Sequence, residues 1–148
     1  MIFYSNSAIE TENFAKKLAQ KAKTGNIYCL NGDLGAGKTA FAKGFAKGLG
    51  IEDDIVSPTF TLINEYFSGN LPLYHFDVYR IQDITEMQDT GYEEYFYGDG
   101  ICLIEWSVLI KELIPASAIS ISIERDLSIG ENYRKIKMED INNENFIP

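Results

Sequence analysis

The sequence predicts an α/β fold, a three-layer sandwich around a mixed, mainly parallel sheet with a C-terminal β-hairpin. Three observations predict it. Short apolar runs typical of buried strands alternate with helical patterns along the chain. One such run leads into a glycine-rich loop that a helical pattern follows. Two segments near the C-terminus alternate apolar and polar residues, which indicates a hairpin with one buried face.

The N-terminal elements are set by capping and by spacing. Ser7 and Glu10 have the S-x-x-E form of a capping box, and the apolar residues behind them recur at three-to-four spacing. This pattern predicts a helix that ends near Gly25. Residues 26–30 form a short apolar run and predict a buried strand. Residues 38–49 predict the next helix, in which Gly44 and Gly48 indicate close packing against the sheet.

The remaining elements follow from β-propensity, turn residues and alternation. The sequence predicts strands at 59–66 and 73–79 that pair as a hairpin, a helical acidic segment from Asp83, a buried strand at 101–104, a short helix at 107–114, strands at 119–123 and 133–138, and a frayed tail after residue 139.

Length and composition indicate one domain, residues 1–148. An apolar fraction of 45% is enough for a core and too high for a disordered chain. Cys29 and Cys102 are too few for a disulfide scaffold, and both lie in apolar runs typical of the core. No apolar stretch approaches the length of a membrane span, and the N-terminus lacks a signal-peptide pattern. We therefore expect a cytoplasmic protein with no membrane partner.

The net charge of −9 lies entirely in the C-terminal half, because residues 1–74 are neutral. No Lys or Arg occurs between Arg80 and Lys111. Gripping DNA or RNA through its phosphates requires clustered cations, so the charge balance argues against this mode of binding. The acidic stretch from Asp83 to Asp99 either serves docking or repels tRNA from this face, or it is an ordinary solvated helix face.

The glycine-rich loop carries the clearest chemical signal. Gly32–Thr39 fits G-x-x-x-x-G-K-[ST] in full, between a predicted strand and a predicted helix. In such a loop the backbone N–H groups converge on phosphate, the lysine reaches the terminal phosphates, and the hydroxyl is suited to Mg²⁺. The fold expected is therefore P-loop NTPase-like, with ATP or ADP and Mg²⁺ as ligands. The nucleotide-binding residues predicted in the loop are Asp33, Leu34, Gly35, Ala36, Gly37, Lys38 and Thr39.

A Mg²⁺-nucleotide site also needs an acid at the end of a neighbouring strand. Asp77 and Glu105 both end predicted strands, and the pattern alone does not choose which one lies beside the metal and which orients the attacking water. His75, the single histidine, lies on the same strand face as Asp77 and is expected to be a hydrogen-bonded structural residue. Arg80 is expected to form an ion pair with Asp77.

Four blocks in this order resemble the bacterial TsaE (YjeE) family. They are GDLGAGKT at Gly32–Thr39, SPTFTLINEY at Ser57–Tyr66, YHFDVYR at Tyr74–Arg80 and LIEW at Leu103–Trp106. The resemblance covers about residues 5 to 138. It implies an ATPase required for N6-threonylcarbamoyladenosine (t6A) at position 37 of tRNAs that read ANN codons. It also implies that the protein acts with the TsaB–TsaD complex, does not transfer the threonylcarbamoyl group itself, and meets tRNA only indirectly.

The resemblance implies residue roles as well. Thr39 and Glu105 would bind Mg²⁺, and Asp77 would be the acid most tied to hydrolysis beside Lys38. Thr11 would contact the adenine edge, and Arg134 would lie beside the base. Ser57-Pro58-Thr59 resembles a switch-like segment near the γ-phosphate, and Trp106 matches the family with either a packing or a site role.

Two alternatives to this ATPase remain open at the level of sequence. A small P-loop kinase for a metabolite has the right size, but residues 81–110 offer no basic residue for a lid. A nucleotide-dependent interaction module would bind without any need for hydrolysis. Transfer of labelled phosphate to a metabolite would favour the kinase, and full function of a variant that cannot hydrolyse ATP would favour the interaction module.

Overall fold

The computed structural model describes residues 1–140 of the chain. The regular elements follow one another along the chain in this order: strand β1 (Ile2–Ser5), helix α1 (Ala8–Gln20), β2 (Ile27–Asn31), α2 (Lys38–Gly48), β3 (Ile63–Tyr66), β4 (Leu73–Asp77), a 3₁₀ helix (Ile84–Thr90), α3 (Tyr92–Phe96), β5 (Ile101–Glu105), a second 3₁₀ helix (Ser107–Leu113), β6 (Ile119–Arg125) and β7 (Arg134–Asp140).

The seven strands form one sheet in the order β1-β7-β6-β2-β5-β4-β3. The four central strands, β6, β2, β5 and β4, run parallel. The β3–β4 hairpin and the β6–β7 hairpin add antiparallel strands on the two sides, as predicted. Because parallel strands end at the same edge, the carboxyl ends of β2, β4 and β5 meet at one rim. This rim positions the candidate site.

Side-chain alternation divides the core into two layers. One face of the sheet packs on α1 and α2, and the other packs on the 3₁₀ helices and α3. Leu73 and Leu103 therefore face α2, whereas Phe76 and Ile104 face the opposite layer. The predicted three-layer sandwich is confirmed. No helix within residues 1–140 is long and apolar enough to cross a membrane.

Several predicted bounds need correction. The strand predicted at 59–66 begins only at Ile63, because the preceding residues form turns. The acidic segment is helical, but its first part, Ile84–Thr90, is a 3₁₀ helix that Gly91 ends in a left-handed conformation (φ 71°). The acidic side chains of this segment are exposed. Strand β1 was not predicted at all. The tail was predicted to be frayed after residue 139, and the part of it after Asp140 lies outside the described residues.

The predicted cap of α1 forms with one change. Ser7 Oγ accepts a hydrogen bond from Glu10 N (3.1 Å), as a capping box requires. The Glu10 carboxylate, however, accepts from Asn6 N (2.7 Å), one residue before the N-cap. The helix begins where the sequence predicts, and its bounds place Thr11 in the first turn.

The glycines of α2 pack against α1 and not against the sheet, which corrects the predicted contact. A Cβ at Gly44 would overlap the Glu12 carbonyl oxygen and lie 2.6 Å from Glu12 Cα. A Cβ at Gly48 would similarly overlap the Lys16 carbonyl oxygen. These two positions let the backbones of the two helices approach closely, so the cost of glycine in a helix is offset by packing.

We expect Gly44→Ala to destabilise the protein by about 2 kcal/mol, because overpacking against a backbone outweighs the better helix propensity of alanine. Chemical denaturation measures the free energy of unfolding. Lys43→Ala is the control, since Lys43 is exposed on the same helix and its loss should change stability by less than about 0.5 kcal/mol. A Gly44→Ala protein as stable as the wild type would contradict the close α1–α2 contact.

The two cysteines are buried and free, which confirms them as core residues. Burial raises the pKa of the Cys102 thiol to about 12. The Cys102 thiol also donates to the carbonyl oxygen of Tyr95 (3.3 Å). Both residues serve the packing of the layer opposite α2.

Candidate nucleotide site

The loop between β2 and α2 has the backbone form that an anion site needs. Gly35 and Gly37 both have positive φ (79° and 105°), a conformation that favours glycine. Gly37 is also the N-cap of α2, so the loop leads directly into the helix N-terminus. Successive amides in such a curl and the helix dipole attract phosphate. The structure therefore supports the phosphate-binding role that the motif predicts.

Lys38 lies at the centre of the site. Its ammonium donates to the Gly32 carbonyl oxygen (2.7 Å) and lies 4.0 Å from the centroid of the Trp106 ring. Burial lowers the pKa of Lys38, while the charges of Glu105, Asp77 and Asp33 raise it. The side chain is thus a buried cation held among carboxylates at the carboxyl rim of the sheet.

Asp77 and Glu105 end the neighbouring parallel strands β4 and β5 and are paired in register. Asp77 is four residues after Leu73 and Glu105 is two residues after Leu103, and both leucines face α2, so the two carboxylates lie on the same face of the sheet as α2 and Lys38. Both are largely buried, with exposed fractions of 5% and 8%. The structure therefore brings together the three residues that were predicted to carry catalysis.

The two carboxylates differ in how they are bound. Asp77 Oδ2 accepts from the Thr59 hydroxyl (3.0 Å) and Oδ1 from Tyr79 N (3.0 Å). Thr59 is in turn hydrogen bonded to Ser57 (2.7 Å between the hydroxyl oxygens). Glu105 Oε2 pairs with His75 Nε2 (2.7 Å), and no donor in the described part of the chain reaches its Oε1. Glu105 therefore offers the freer oxygen to a ligand.

The predicted ion pair between Arg80 and Asp77 is wrong. The Arg80 guanidinium lies over the Phe60 ring, 4.1 Å from its centroid, and the Asp77 oxygens accept from uncharged donors instead. Asp77 is buried below the rim while Arg80 is exposed, so the two side chains diverge after the strand ends. Stacking on an aromatic face satisfies an exposed guanidinium at little cost in desolvation.

Trp106 has a strained backbone beside the site. Its φ of 62° is in the left-handed region, which a non-glycine residue rarely adopts and which costs about 1–3 kcal/mol. The indole packs on Tyr79 (ring centroids 4.8 Å apart) and against Lys38. The packing role considered for Trp106 is thus observed, and its ring also forms one wall beside the lysine, while the site role stays a prediction.

Arg134 holds the outside of the loop. Its Nε donates to the Ala36 carbonyl oxygen (2.7 Å) and its Nη2 to that of Gly35 (3.3 Å). Since the C=O and N–H of a trans peptide point in opposite directions, the bond to Ala36 turns the Gly37 N–H toward the other side of the loop. Arg134 was predicted to lie beside the base; two of its nitrogens bind the loop, and its Nη1 donates to the carbonyl oxygens of Glu131 and Tyr133.

We expect Arg134→Gln to weaken ATP binding about tenfold, because the loop loses two charge-assisted hydrogen bonds that fix its shape. Arg134→Lys, which keeps the charge but not the fork, should be intermediate. Hydrogen exchange of the Gly35–Thr39 amides without nucleotide should become faster in Arg134→Gln. Unchanged exchange with an altered preference between ATP and GTP would point to base contact instead.

Thr11 and Arg134 line the same small cavity. A small cavity of about 70 Å³ is lined by residues of α1, α2 and the β6–β7 hairpin, among them Thr11, Gly37 and Arg134. The Ser5 hydroxyl donates to the Ser7 carbonyl oxygen (2.8 Å), so the hydroxyl of Thr11 is the donor in its 2.8 Å contact with Ser5. The Thr11 oxygen consequently keeps acceptor capacity at this cavity.

The other loop residues divide by exposure. Ala36 is buried like Lys38, and Thr39 lies exposed at the second position of α2. Asp33, Leu34 and Gly35 are exposed on the loop.

Sequence reasoning missed Tyr79, whose backbone N–H holds Asp77, and no side-chain pattern could have indicated it. It also missed the pairing of His75 with Glu105, although both residues had been singled out.

Comparisons with known proteins agree with these observations. Residues 5–136 match the family model described as "TsaE: Threonylcarbamoyl adenosine biosynthesis protein TsaE". The chain is 51% identical over 134 residues to the tRNA threonylcarbamoyladenosine biosynthesis protein TsaE of Bacillus subtilis (90% of this chain, 82% of that protein). It is 42% identical to the Treponema pallidum protein of the same name (80% and 87% covered). A crystal structure of Bacillus subtilis YdiB superposes with a TM-score of 0.81 at 45% identity (95% and 85% covered).

Proposed function

Because the chain belongs to the TsaE family of threonylcarbamoyl adenosine biosynthesis proteins, we propose that it is the Mg²⁺-dependent ATPase of that modification system. Its role in tRNA threonylcarbamoyladenosine biosynthesis follows from the family. One observation carries the ATPase proposal: Lys38, Asp77 and Glu105 lie together beside the phosphate loop, where burial and both carboxylates act on the pKa of the lysine.

The nucleotide would lie along the loop. The amides from Gly35 to Thr39 and the α2 N-terminus would bind the phosphates, with Lys38 reaching the terminal ones in place of the Gly32 carbonyl. Thr11 would accept a hydrogen bond from the amino group of adenine at the small cavity beside Gly37. Arg134 supports this arrangement from outside the loop.

The donors present fit a magnesium ion, since a hydroxyl and a carboxylate oxygen are hard ligands. Thr39 Oγ1 and Glu105 Oε1 would hold the ion, whose charge would neutralise the phosphate oxygens. Asp77 would accept a hydrogen bond from the attacking water and orient it toward the γ-phosphate. The hydroxyl of Thr59 and the amide of Tyr79 keep the Asp77 carboxylate in one rotamer for this task.

We further propose that TsaB and TsaD raise a slow intrinsic rate of hydrolysis, in the formation of t6A at position 37 of tRNAs that read ANN codons. The arginines within residues 1–140 are Arg80, Arg125 and Arg134. Arg80 contacts Phe60, Arg134 binds the outer carbonyls, and the Arg125 guanidinium lies beside Gly35 of the loop. We expect the partners to complete the cationic surroundings of the terminal phosphates, which stabilises the transition state.

The test is the rate of phosphate release from Mg²⁺-ATP by this protein, alone and with TsaB–TsaD, in parallel with t6A formation on tRNA. We expect slow release alone and a severalfold increase in the complex. Equal rates in both conditions would overturn the proposed activation. Transfer of labelled phosphate to a small metabolite instead of water would overturn the ATPase proposal in favour of a kinase.

A further inference from the structure

The imidazole of His75 lies directly behind Glu105, and we propose that His75 is the positioning residue for this carboxylate. The proposal rests on the role of Glu105 in holding the metal ion. It assigns a task to a buried side chain that has no part in the nucleotide binding proposed above.

The strand register creates the contact. β4 and β5 are parallel, with Asp77 opposite Glu105 and His75 opposite Leu103. His75 therefore lies two residues before the rim, on the face of β4 that also carries Asp77. From there its Nε2 reaches diagonally forward to Glu105 Oε2 at 2.7 Å. The position fits a residue that supports the rim from below.

The other ring nitrogen of His75 makes no hydrogen bond with the described residues. His75 is 2% exposed, and its Nδ1 is buried with no hydrogen-bond partner among residues 1–140. A buried polar atom without a partner costs free energy, so a histidine kept for packing alone would be replaced favourably by an apolar side chain. All the hydrogen-bonding capacity that His75 uses is directed at Glu105. This is the pattern of a side chain retained to hold another.

A glutamate at a strand end needs such support. Three side-chain torsions separate its carboxylate from the backbone, and each has two or three accessible wells. The His75 contact fixes Oε2 and thereby determines where Oε1 lies, the oxygen that no other group in the described residues occupies. Ligand-holding groups oriented in this way bind a metal ion more tightly, because the ordering cost is met before binding.

The experiment measures ATP affinity by calorimetry, once with Mg²⁺ and once with EDTA, and compares the ratio of the two. We expect His75→Phe to lower this metal-dependent gain about tenfold while the affinity in EDTA stays within about threefold of wild type. His75→Gln places an amide N–H near the position of Nε2 and should restore most of the gain. A His75→Phe protein with the wild-type ratio would overturn the proposal.

A matched control separates positioning from stability. Phe76→Leu alters the next residue of the same strand, which packs on the opposite layer. It should lower the melting temperature and leave the metal-dependent gain unchanged. If His75→Phe does not fold, His75→Asn takes its place, because the shorter amide cannot reach Glu105 and the same loss is expected. A wild-type gain in that variant would equally overturn the proposal.

A double-mutant cycle assigns the effect to Glu105. In Glu105→Gln the gain should already be reduced, and adding His75→Phe should reduce it little further. Independent, multiplicative losses would show that His75 acts by another route and would overturn the proposal. A wild-type protein without any metal-dependent gain would instead overturn the metal role of Glu105, so the two failures are distinguishable.

Discussion

Replacing Lys38 with alanine is expected to lower the affinity for ATP by about 100-fold, equivalent to about 3 kcal/mol, and to abolish hydrolysis. Lys38 is a buried cation at the end of the loop, held between the Gly32 carbonyl and the Trp106 ring. Its loss removes the charge that faces the terminal phosphates and leaves Asp77 and Glu105 to repel them. Calorimetry measures the affinity, and phosphate release measures hydrolysis.

The matched control is Lys43→Ala, which removes an exposed lysine five residues further along the same helix. Net charge and helix composition then change equally, and only the position differs. We expect affinity within about twofold of wild type for Lys43→Ala, as for surface changes away from a site. A Lys38→Ala protein that binds ATP normally would contradict the proposed orientation of the nucleotide.

Asp77→Asn is expected to lower kcat about 1000-fold, since a positioned general base contributes between 100-fold and 10,000-fold. Asparagine keeps the shape and one acceptor oxygen, so the contacts of Asp77 with Thr59 and Tyr79 can largely persist. Affinity for ATP should therefore stay within about threefold of wild type, because an isosteric change leaves the binding contacts in place. The pattern of low kcat with retained binding distinguishes a catalytic effect from a damaged site.

Glu65→Gln is the control for this change, because it neutralises an exposed carboxylate on the neighbouring strand β3. Its turnover should equal that of the wild type.

The Asp77→Asn protein also tests whether hydrolysis is needed at all. If it binds ATP, hydrolyses none and still supports full tRNA modification, the chain acts as a nucleotide-dependent interaction module.

Local patterns made much of the fold predictable. The phosphate loop, its flanking strand and helix, and both hairpins depend on residues close together in the chain, so spacing and turn chemistry indicated them. Strand β1 could not be found in this way. It is a four-residue edge strand that pairs with β7 from the other end of the chain, and its stability comes from that distant partner.

In the site too, local features were predictable from the sequence and contacts between distant segments were not. That Asp77 and Glu105 end strands was evident from the sequence, but which strands are neighbours was not. Only the placement of β4 beside β5 brings His75 to Glu105, and only the turn after β4 supplies the Tyr79 amide to Asp77. The error over Arg80 has the same origin, because an aromatic partner 20 residues earlier in the chain replaced the nearby acid.

The close contact of α1 with α2 at Gly44 sets the distance between Thr11 and the phosphate loop. Glu12 lies against this glycine, and Thr11 precedes it in the first turn of α1, so the helix spacing fixes how far the Thr11 oxygen stands from the loop at Gly37. In the proposed complex these two points bind the base and the phosphates. The glycine contact thus sets the distance between the two ends of the site, and widening it by one methyl group would move these ends apart without replacing any ligand-binding residue.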